Sequence, residues 1–539
     1  ATLKVNGKYI DLNMEKGYAR IRRKWQKEDV IELNLPMPVR RVLACEKVKN
    51  DLGKVALERG PTVYCAEWPD NGGKVSDILL RDDTPLKVAY HGDMLGGIAV
   101  ITGEVLHLDS TRSARKGMTK NFMAIPYYED LRLIGYYPPL LLYFASLIAV
   151  VSLNDMFFFF IAWEFMTLSS YTLVIFDRKR KERLRAGYKY FLMTHIATAC
   201  MFLAAIILYT YGKSFNFDAL GLSIKGLMIT NPLLVHTVLA LFFVGFATKA
   251  GVLPFGDWLP DAYPASPSAA ASVFGGIMSK LGVYGLIRVF CDILPVSGFS
   301  QTWGIVIAIF GTISIFIGTM TALIQDDTKR LLSFHVIGQI GYMLLGIGIG
   351  VYFLPTNKFI AAAGIIGGIF HLVNNAIYKS SLFLSAGSIF YKTGTRNLNE
   401  IGGLSKLMPI TAFATVIASL SIAGIPPFNG FSSKWLIYQA SVIGGMSSPL
   451  FIALGIVAIF ISAVTLASFF KFFGASFFGK LYEGGNKLKK QDVPKSMYIP
   501  GLILGGICIL MGILPIFFMK IIYKSLVDIL GAGAIPQFS

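Results

Sequence analysis

Paired cysteines are absent from this chain. Its five, Cys45, Cys65, Cys200, Cys291 and Cys508, are scattered through 539 residues without CxxC or CxxH spacing. That pattern excludes an iron–sulfur cluster, a c-type haem and a structural zinc. Charge is also thin, at 15% against 54% hydrophobic residues, which is too apolar for an ordinary soluble protein. Flavin, nucleotide and cluster motifs are missing, so neither cofactor nor metal is expected in this chain. Ala1 is not an initiator methionine and no signal peptide precedes it, so the true start is expected upstream.

What is present is unevenly spread. Residues 1–132 carry 22 Lys+Arg and 18 Asp+Glu and no apolar run long enough to cross a bilayer. Residues 133–539 are a succession of apolar segments of 20 or more residues, the mark of a polytopic membrane protein. The net charge of +18 divides as +4 and +14, so most of the excess lies in the loops of the membrane part. This indicates a lipid bilayer as partner and excludes nucleic acid.

The first piece, residues 1–130, is expected to be a small β-sandwich-like soluble domain. "RIRRKWQKEDVIELNL" approximates alternation through Val30, Ile31, Leu33 and Leu35, and "GGIAVITGEVLHLD" is another strand-like run. Glu58, Cys65 and Glu67 could be drawn as a catalytic cluster. Strand and turn residues of a sandwich account for them better.

The second piece, residues 131–539, is expected to hold eleven transmembrane spans. They cover residues 136–153, 155–176, 187–211, 232–263, 267–291 and 302–324, then 331–353, 359–391, 409–440, 449–474 and 498–520. Alternate loops are strongly basic ("DRKRKERLRAGYK", "DDTKR", "YKTGTRNLNEIGGLSKL", "KLYEGGNKLKKQDVPK"), whereas four of the others contain only Lys213, Lys225 and Lys358. The basic set is expected on the cytoplasmic side, together with the N-terminal domain.

The spans 232–263 and 409–440 share a phrase. "AGVLPFG" runs from Ala250 to Gly256 and "AGIPPFN" from Ala423 to Asn429. Proline removes a backbone donor and glycine loosens the helix, so breaks are expected at Gly251 and Pro254, and at Gly424, Pro426 and Pro427. The two spans lie an odd number of crossings apart. They therefore run in opposite senses, as in an inverted repeat that functions at its broken helices.

Ionisable residues fall inside these spans: Glu164, Lys249, Lys280, Lys379 and Lys434. Each costs about 2.5–3.5 kcal/mol on insertion scales, so five are not there by structural convenience. Snorkelling to the interface would explain Lys379, Arg288 and Lys471, but not Lys249 or Glu164. A buried ammonium is costly unless partnered, so a lysine so placed can hold and release a proton, with Glu164 expected nearby to steady the charge. His371 and, less directly, His195 and His335 could extend a relay, with Asn374 and Asn375 as polar neighbours.

Two resemblances follow from these words. "ALERGPTVYCAEWPDN" and "NFMAIPYY" resemble the C-terminal β-domain of family 127 glycoside hydrolases, the β-L-arabinofuranosidases, over about residues 3–128. That family's catalytic and zinc-binding residues sit in a preceding helical barrel, so no glycosidase activity is expected. "AWEFMTLSSY", "TKAGVLPFGDWLPDAYPASPSAAAS", "QDDTKRLLSFHVIGQIGYMLLG" and "AGIPPFNGFSSKW" resemble the antiporter-like proton-translocating subunits of respiratory complex I, group 4 hydrogenases including formate hydrogenlyase, and multisubunit Na⁺/H⁺ antiporters, over about residues 133–520. By that resemblance Glu164 matches the family's fifth-helix glutamate and Lys249 the lysine of the broken seventh helix. Lys280 matches the eighth-helix lysine, His371 and Lys379 the eleventh-helix relay, and Lys434 the twelfth-helix lysine. The family usually has fourteen core helices, which implies that the first three are absent. "WEFMTLSSY", "PASPSAAAS" and "LNEIGGLSKLMP" look nearest the hydrogenase branch. The resemblance implies a subunit that moves H⁺ or Na⁺ in the inner (cytoplasmic) membrane, driven by redox partner subunits or an ion gradient. The alternatives are a membrane-tethered carbohydrate-binding or glycosidase fragment, a solute transporter on the same repeat, and a misjoined chimera of two genes.

Overall fold

The computed structural model describes residues 2–530, apart from 12–13, 16–17, 27, 68–69, 72–74, 93, 95–96, 109–117, 179 and 482–490. Most of the basic segment "KLYEGGNKLKKQDVPK" thus lies outside the described residues. The chain divides into two compact units, Ala1–Tyr137 and Pro138–Ser539.

The first unit is built of antiparallel strands. They are β1 (Thr2–Val5), β2 (Lys8–Ile10), β3 (Met14–Glu15), β4 (Tyr18–Ala19), β5 (Ile31–Asn34), β6 (Val39–Leu43), β7 (Val55–Arg59) and β8 (Thr62–Ala66), followed by β9 (Ile78–Leu79), β10 (Lys87–His91), β11 (Ile98–His107) and β12 (Met118–Pro126). One sheet has the order β2-β1-β5, and a larger one runs β10-β11-β12-β8-β7-β6 with β9 on β11. The larger sheet buries Leu57, Tyr64, Ile101, Val105 and Phe122 together. The alternation expected around Val30–Leu35 does not bury a face, because Val30, Ile31, Leu33 and Leu35 are all exposed. Strand β5 is an edge strand with β1 as its one neighbour.

The second unit is helical. Its helices are α1 (Tyr127–Ser152, entering from the first unit), α2 (Met156–Val174), α3 (Lys181–Gly212), α4 (Phe217–Thr230), α5 (Pro232–Ala250), α6 (Leu259–Ala265), α7 (Ser268–Val273), α8 (Ser279–Ile287) and α9 (Gly298–Leu323). They continue with α10 (Thr328–Phe353), α11 (Lys358–Thr393), α12 (Pro409–Ala423), α13 (Asn429–Gly445), α14 (Pro449–Phe477), α15 (Lys495–Ile513), α16 (Pro515–Lys524) and α17 (Val527–Leu530). Among the described residues, ten helical runs are long and apolar enough to cross a membrane, and α12 adds a shorter apolar helix. Ten of the eleven expected spans coincide with such a run, and the remaining one, 409–440, is divided between α12 and α13.

Two boundaries differ. The segment between the third and fourth spans is not a plain loop but the 14-residue helix α4, on which Lys225 is exposed. The last span stops at Ile513 instead of running to residue 520, because Pro515 starts a separate helix, α16.

Both breaks expected from sequence are present and are built alike. Helix α5 ends at Gly251 (φ 92°) and α12 at Gly424 (φ 82°), each in the left-handed conformation that glycine adopts without penalty. After α5, the Gly251 and Val252 amides return to carbonyls of Ala247 and Thr248. After α12, those of Gly424 and Ile425 return to Leu420 and Ser421. The second halves differ in length, since α6 has 7 residues and α13 has 17.

A second pair of landmarks extends the repeat beyond these breaks. Asp155 and Asp327 cap the N-termini of α2 and α10, and each sits in an isolated antiparallel bridge, to Asn216 and Asn397 respectively. Asn216 caps α4 in turn, and Asn397 caps the 3-10 turn Leu398–Glu400. So α2, α3 and α5 correspond to α10, α11 and α12.

Candidate functional site

Lys249 lies in the last turn of α5 and is 1% exposed. Its Nζ donates to Thr167 Oγ1 of α2 at 2.9 Å and to Tyr190 OH of α3 at 2.7 Å. The Tyr190 hydroxyl also meets Ser170 Oγ at 2.6 Å. The Thr248 carbonyl, already reached by the Gly251 amide at 3.2 Å, also accepts from the Trp258 indole at 2.8 Å.

Glu164 is not the direct partner of Lys249. Its Oε2 meets His195 Nε2 at 3.2 Å, while Oε1 is buried without a hydrogen-bond partner. The pair is half-buried and lines a lateral groove whose other residues are largely apolar, among them Phe157, Phe160, Phe165 and Phe202. Glu164 and Thr167 lie one turn apart on the same side of α2, the hydroxyl reaching Lys249 and the carboxylate reaching His195 of α3.

Lys280 sits at the start of α8, between two π-helical stretches, Phe274–Met278 and Arg288–Ile293. Its ammonium donates to the Gly275 carbonyl and, at 3.4 Å, to Ser279 Oγ. π-Turns of this kind recur at functional sites because they free carbonyls from the helical ladder.

The second half of the repeat holds a matching cluster. His371 Nδ1 meets Ser433 Oγ at 3.0 Å, and its Nε2 meets Gln339 Oε1 at 3.1 Å. Gln339 also accepts from Tyr378 OH at 3.2 Å. Beside them, Lys434 Nζ donates to the Ile422 and Ala423 carbonyls at 3.0 and 3.2 Å and to Ser462 Oγ at 2.9 Å. Lys434 therefore caps the last carbonyls of its own broken helix, while at the other break a side chain, Trp258, also reaches a last-turn carbonyl. Counted from the bridge residues, Tyr190 and His371 occupy the same repeat position, as do Thr167 and Gln339.

Lys379 does not snorkel. It is fully buried and donates to the Leu332 carbonyl at 2.8 Å. His335 is equally buried, with Nε2 2.7 Å from Ser468 Oγ. Tyr342 lies between Lys434 and His371, 4.8 Å from the ammonium and 5.6 Å from the imidazole, and Phe469 lies between Lys379 and His335, at 5.9 and 4.7 Å. Asn374 donates to the Asn429 carbonyl and Asn375 to Tyr378 OH. Lys471 and Arg288 are instead partly exposed and paired, Lys471 with Asp326 at 2.9 Å and Arg288 with Asp292 at 3.1 Å.

Among the described residues, no carboxylate lies within ion-pair distance of Lys249, Lys280, Lys379 or Lys434. Their partners are hydroxyls and carbonyls, which accept from an ammonium and leave a neutral amine free to form. Thr167, Ser170, Tyr190, Gln339, Ser433 and Ser462 were not singled out from sequence. The signal available for them was only the register they share across the repeat. No group of three His, Cys, Asp or Glu able to hold a metal occurs among the described residues.

The second unit is thus a multi-pass membrane fold with two similarly built helix breaks and buried lysines beside them. Residues 153–462 match the family described as NADH:quinone oxidoreductase/Mrp antiporter, TM, and the chain belongs to this family. It is 34% identical over 380 residues to hydrogenase-4 component B of Escherichia coli (strain K12), covering 69% of this chain and 55% of that protein. It is 31% identical over 414 residues to Na(+)/H(+) antiporter subunit A1 of Staphylococcus epidermidis, covering 75% of this chain and 50% of that one. The chain thus spans about half the length of these curated relatives. The fold matches a chain of the Mrp complex from Dietzia sp. DQ12-45-1b with a TM-score of 0.64 at 24% identity, over 74% of this chain and 78% of that one.

The first unit matches elsewhere. Residues 39–130 match the glycoside hydrolase family 127 C-terminal domain, and residues 1–37 match the middle domain of the same family. The expected single C-terminal domain is therefore two domain matches. They divide as the sheets do, with β1, β2 and β5 in the first and β6 onward in the second.

Proposed function

We propose that residues 131–539 form a proton-translocating, or Na⁺/H⁺-translocating, subunit of a redox-driven membrane complex, nearest the hydrogenase-4 and formate hydrogenlyase branch. In this reading Lys249, Lys280, His371, Lys379 and Lys434 pass charge through the middle of the membrane, with Glu164 and His195 at its lateral edge and His335 beside Lys379. The observation that carries it is the partnering of the four buried lysines by hydroxyls and carbonyls alone. Such sites are expensive for a fixed charge and suited to one that comes and goes.

The chemistry at each station is proton exchange. An ammonium at Lys249 releases a proton toward the Tyr190–Ser170 hydroxyls and is restored from the other side. His371, bonded through both nitrogens to Ser433 and Gln339, accepts on one nitrogen and gives from the other. The half-buried Glu164–His195 pair in its apolar groove is costly against lipid, which favours a neighbouring membrane subunit as its cover. In this reading the N-terminal unit lies on the cytoplasmic side of the cell membrane, which the bias of Lys and Arg toward alternate loops supports.

The test is proton flux in liposomes carrying the full chain, driven by an imposed potential and read with an internal pH dye. Lys249→Ala is expected to lower the flux at least about tenfold, about 1.4 kcal/mol or more in the barrier, with normal insertion. Unchanged flux would remove Lys249 from the path. Substituting choline for Na⁺ separates the two ions, since only Na⁺ coupling responds.

A further inference from the structure

One cavity of about 680 Å³ takes no part in these contacts. It lies where α3 begins, beside α6, the start of α10 and the segment after α11. Six cations line it, Arg180, Arg183, Arg185, Lys189, Arg330 and Arg396, against the carboxylates of Glu182 and Asp261.

Acids around the cavity answer part of this charge. Asp261 takes Lys189 at 2.9 Å and Arg330 at 3.1 Å, Asp257 takes Lys189 at 2.7 Å, Asp177 takes Arg183 at 3.3 Å and Arg180 at 3.6 Å, and Asp327 takes Arg396 at 3.1 Å. Arg185 has no ion-pair or hydrogen-bond partner among the described residues. Behind the wall, Lys329 is 4% exposed and donates to the Ser266 carbonyl at 2.9 Å. A buried ammonium held by a carbonyl, behind a wall lined by six cations, adds to the positive charge there, and an anion is what would balance it.

The rest of the site is apolar and continues along α3. Leu184, Tyr188, Leu192 and Ile196 are exposed and spaced four apart, so they form one ridge on the helix surface, and Tyr188 and Leu192 also line the cavity.

We propose that this cavity binds the phosphate-bearing headgroup of an anionic phospholipid, with an acyl chain lying along the α3 ridge. Guanidinium forks match phosphate oxygens two at a time, and basic pockets between membrane helices serve this purpose. A soluble phosphate would use the cations and leave the ridge idle, so the lipid is the better fit. The proposal stands independently of ion translocation.

The experiment is native mass spectrometry of the detergent-purified full chain, titrated with phosphatidylglycerol, phosphatidylcholine or inorganic phosphate. Phosphatidylglycerol is expected to be retained, with affinity falling about fivefold for each arginine removed in Arg185→Gln and Arg185→Gln/Arg396→Gln. Arg396 also donates to the Pro264 carbonyl, so the single Arg185→Gln variant keeps the test open if the double variant fails to fold. Lys225→Gln on α4 is the control and is expected to change nothing. Equal retention of phosphatidylcholine, or wild-type retention of phosphatidylglycerol by both arginine variants, would overturn the site. Inorganic phosphate binding as tightly as phosphatidylglycerol would assign it to a soluble anion and overturn the lipid.

Discussion

A lysine ammonium has three protons to place and no capacity to accept. Lys434 places all three, on two carbonyls and the Ser462 hydroxyl, whereas Lys249 has two placed, on Thr167 and Tyr190. The Tyr190 hydroxyl is therefore a probe of the first station. Tyr190→Phe keeps the ring packed on Trp258 and removes a hydrogen bond worth about 0.5–1.5 kcal/mol, more for a charged donor. Proton flux is expected to fall roughly five- to tenfold, with little change in melting temperature. A fall in melting temperature without a fall in flux would make the hydroxyl merely structural. The lysines were legible because a charge inside an apolar run stands out. Their partners were not, because serine, threonine and tyrosine are ordinary residues in membrane helices and these come from distant parts of the chain. Glu164 shows the limit most clearly. Its position implied a role, but the helix face that set its partner as His195 and not Lys249 follows from the packing of α2 on α3.

At the scale of the element, the repeat shows how much a short phrase can carry. Ala-Gly with a proline and a phenylalanine located both breaks, and both end in a left-handed glycine with matching amide returns. What the phrase could not convey is that α13 closes on α12 more tightly than its length suggests. A Cβ at Gly430 would run into the Ser421 carbonyl oxygen in the last turn of α12. Gly430→Ala is expected to destabilise the protein by about 1–3 kcal/mol, since the obstacle is backbone and cannot swing aside. Thermal unfolding in detergent checks this, and an unshifted transition would mean that the half-helices separate freely. The capped bridges at Asp155–Asn216 and Asp327–Asn397 were illegible for a different reason. Two lone Asp/Asn pairs are unremarkable until the fold brings them to equivalent places. Helix α4 was missed because, at 14 residues, it is too short to register as a span.

At the scale of the whole molecule, two units that match different families share one chain, dividing after Tyr137, a few residues beyond the change in composition near residue 132. Residues 1–132 are charged and strand-forming, and the apolar segments begin directly after them. Under the proposed function the basic loops, and with them the N-terminal end of α1, lie on the cytoplasmic side. Cys45 turns this into a direct measurement, being an exposed free thiol on the β unit, whereas Cys291 and Cys508 are buried among the helices. A membrane-impermeant maleimide is expected to label Cys45 in inside-out vesicles and not in right-side-out ones, with Cys45→Ser abolishing the signal. Labelling in right-side-out vesicles would invert every loop. The lateral Glu164–His195 groove would keep its place at mid-membrane, but the Arg185–Arg396 cavity would then face the opposite leaflet, and its anionic lipid would have to come from there.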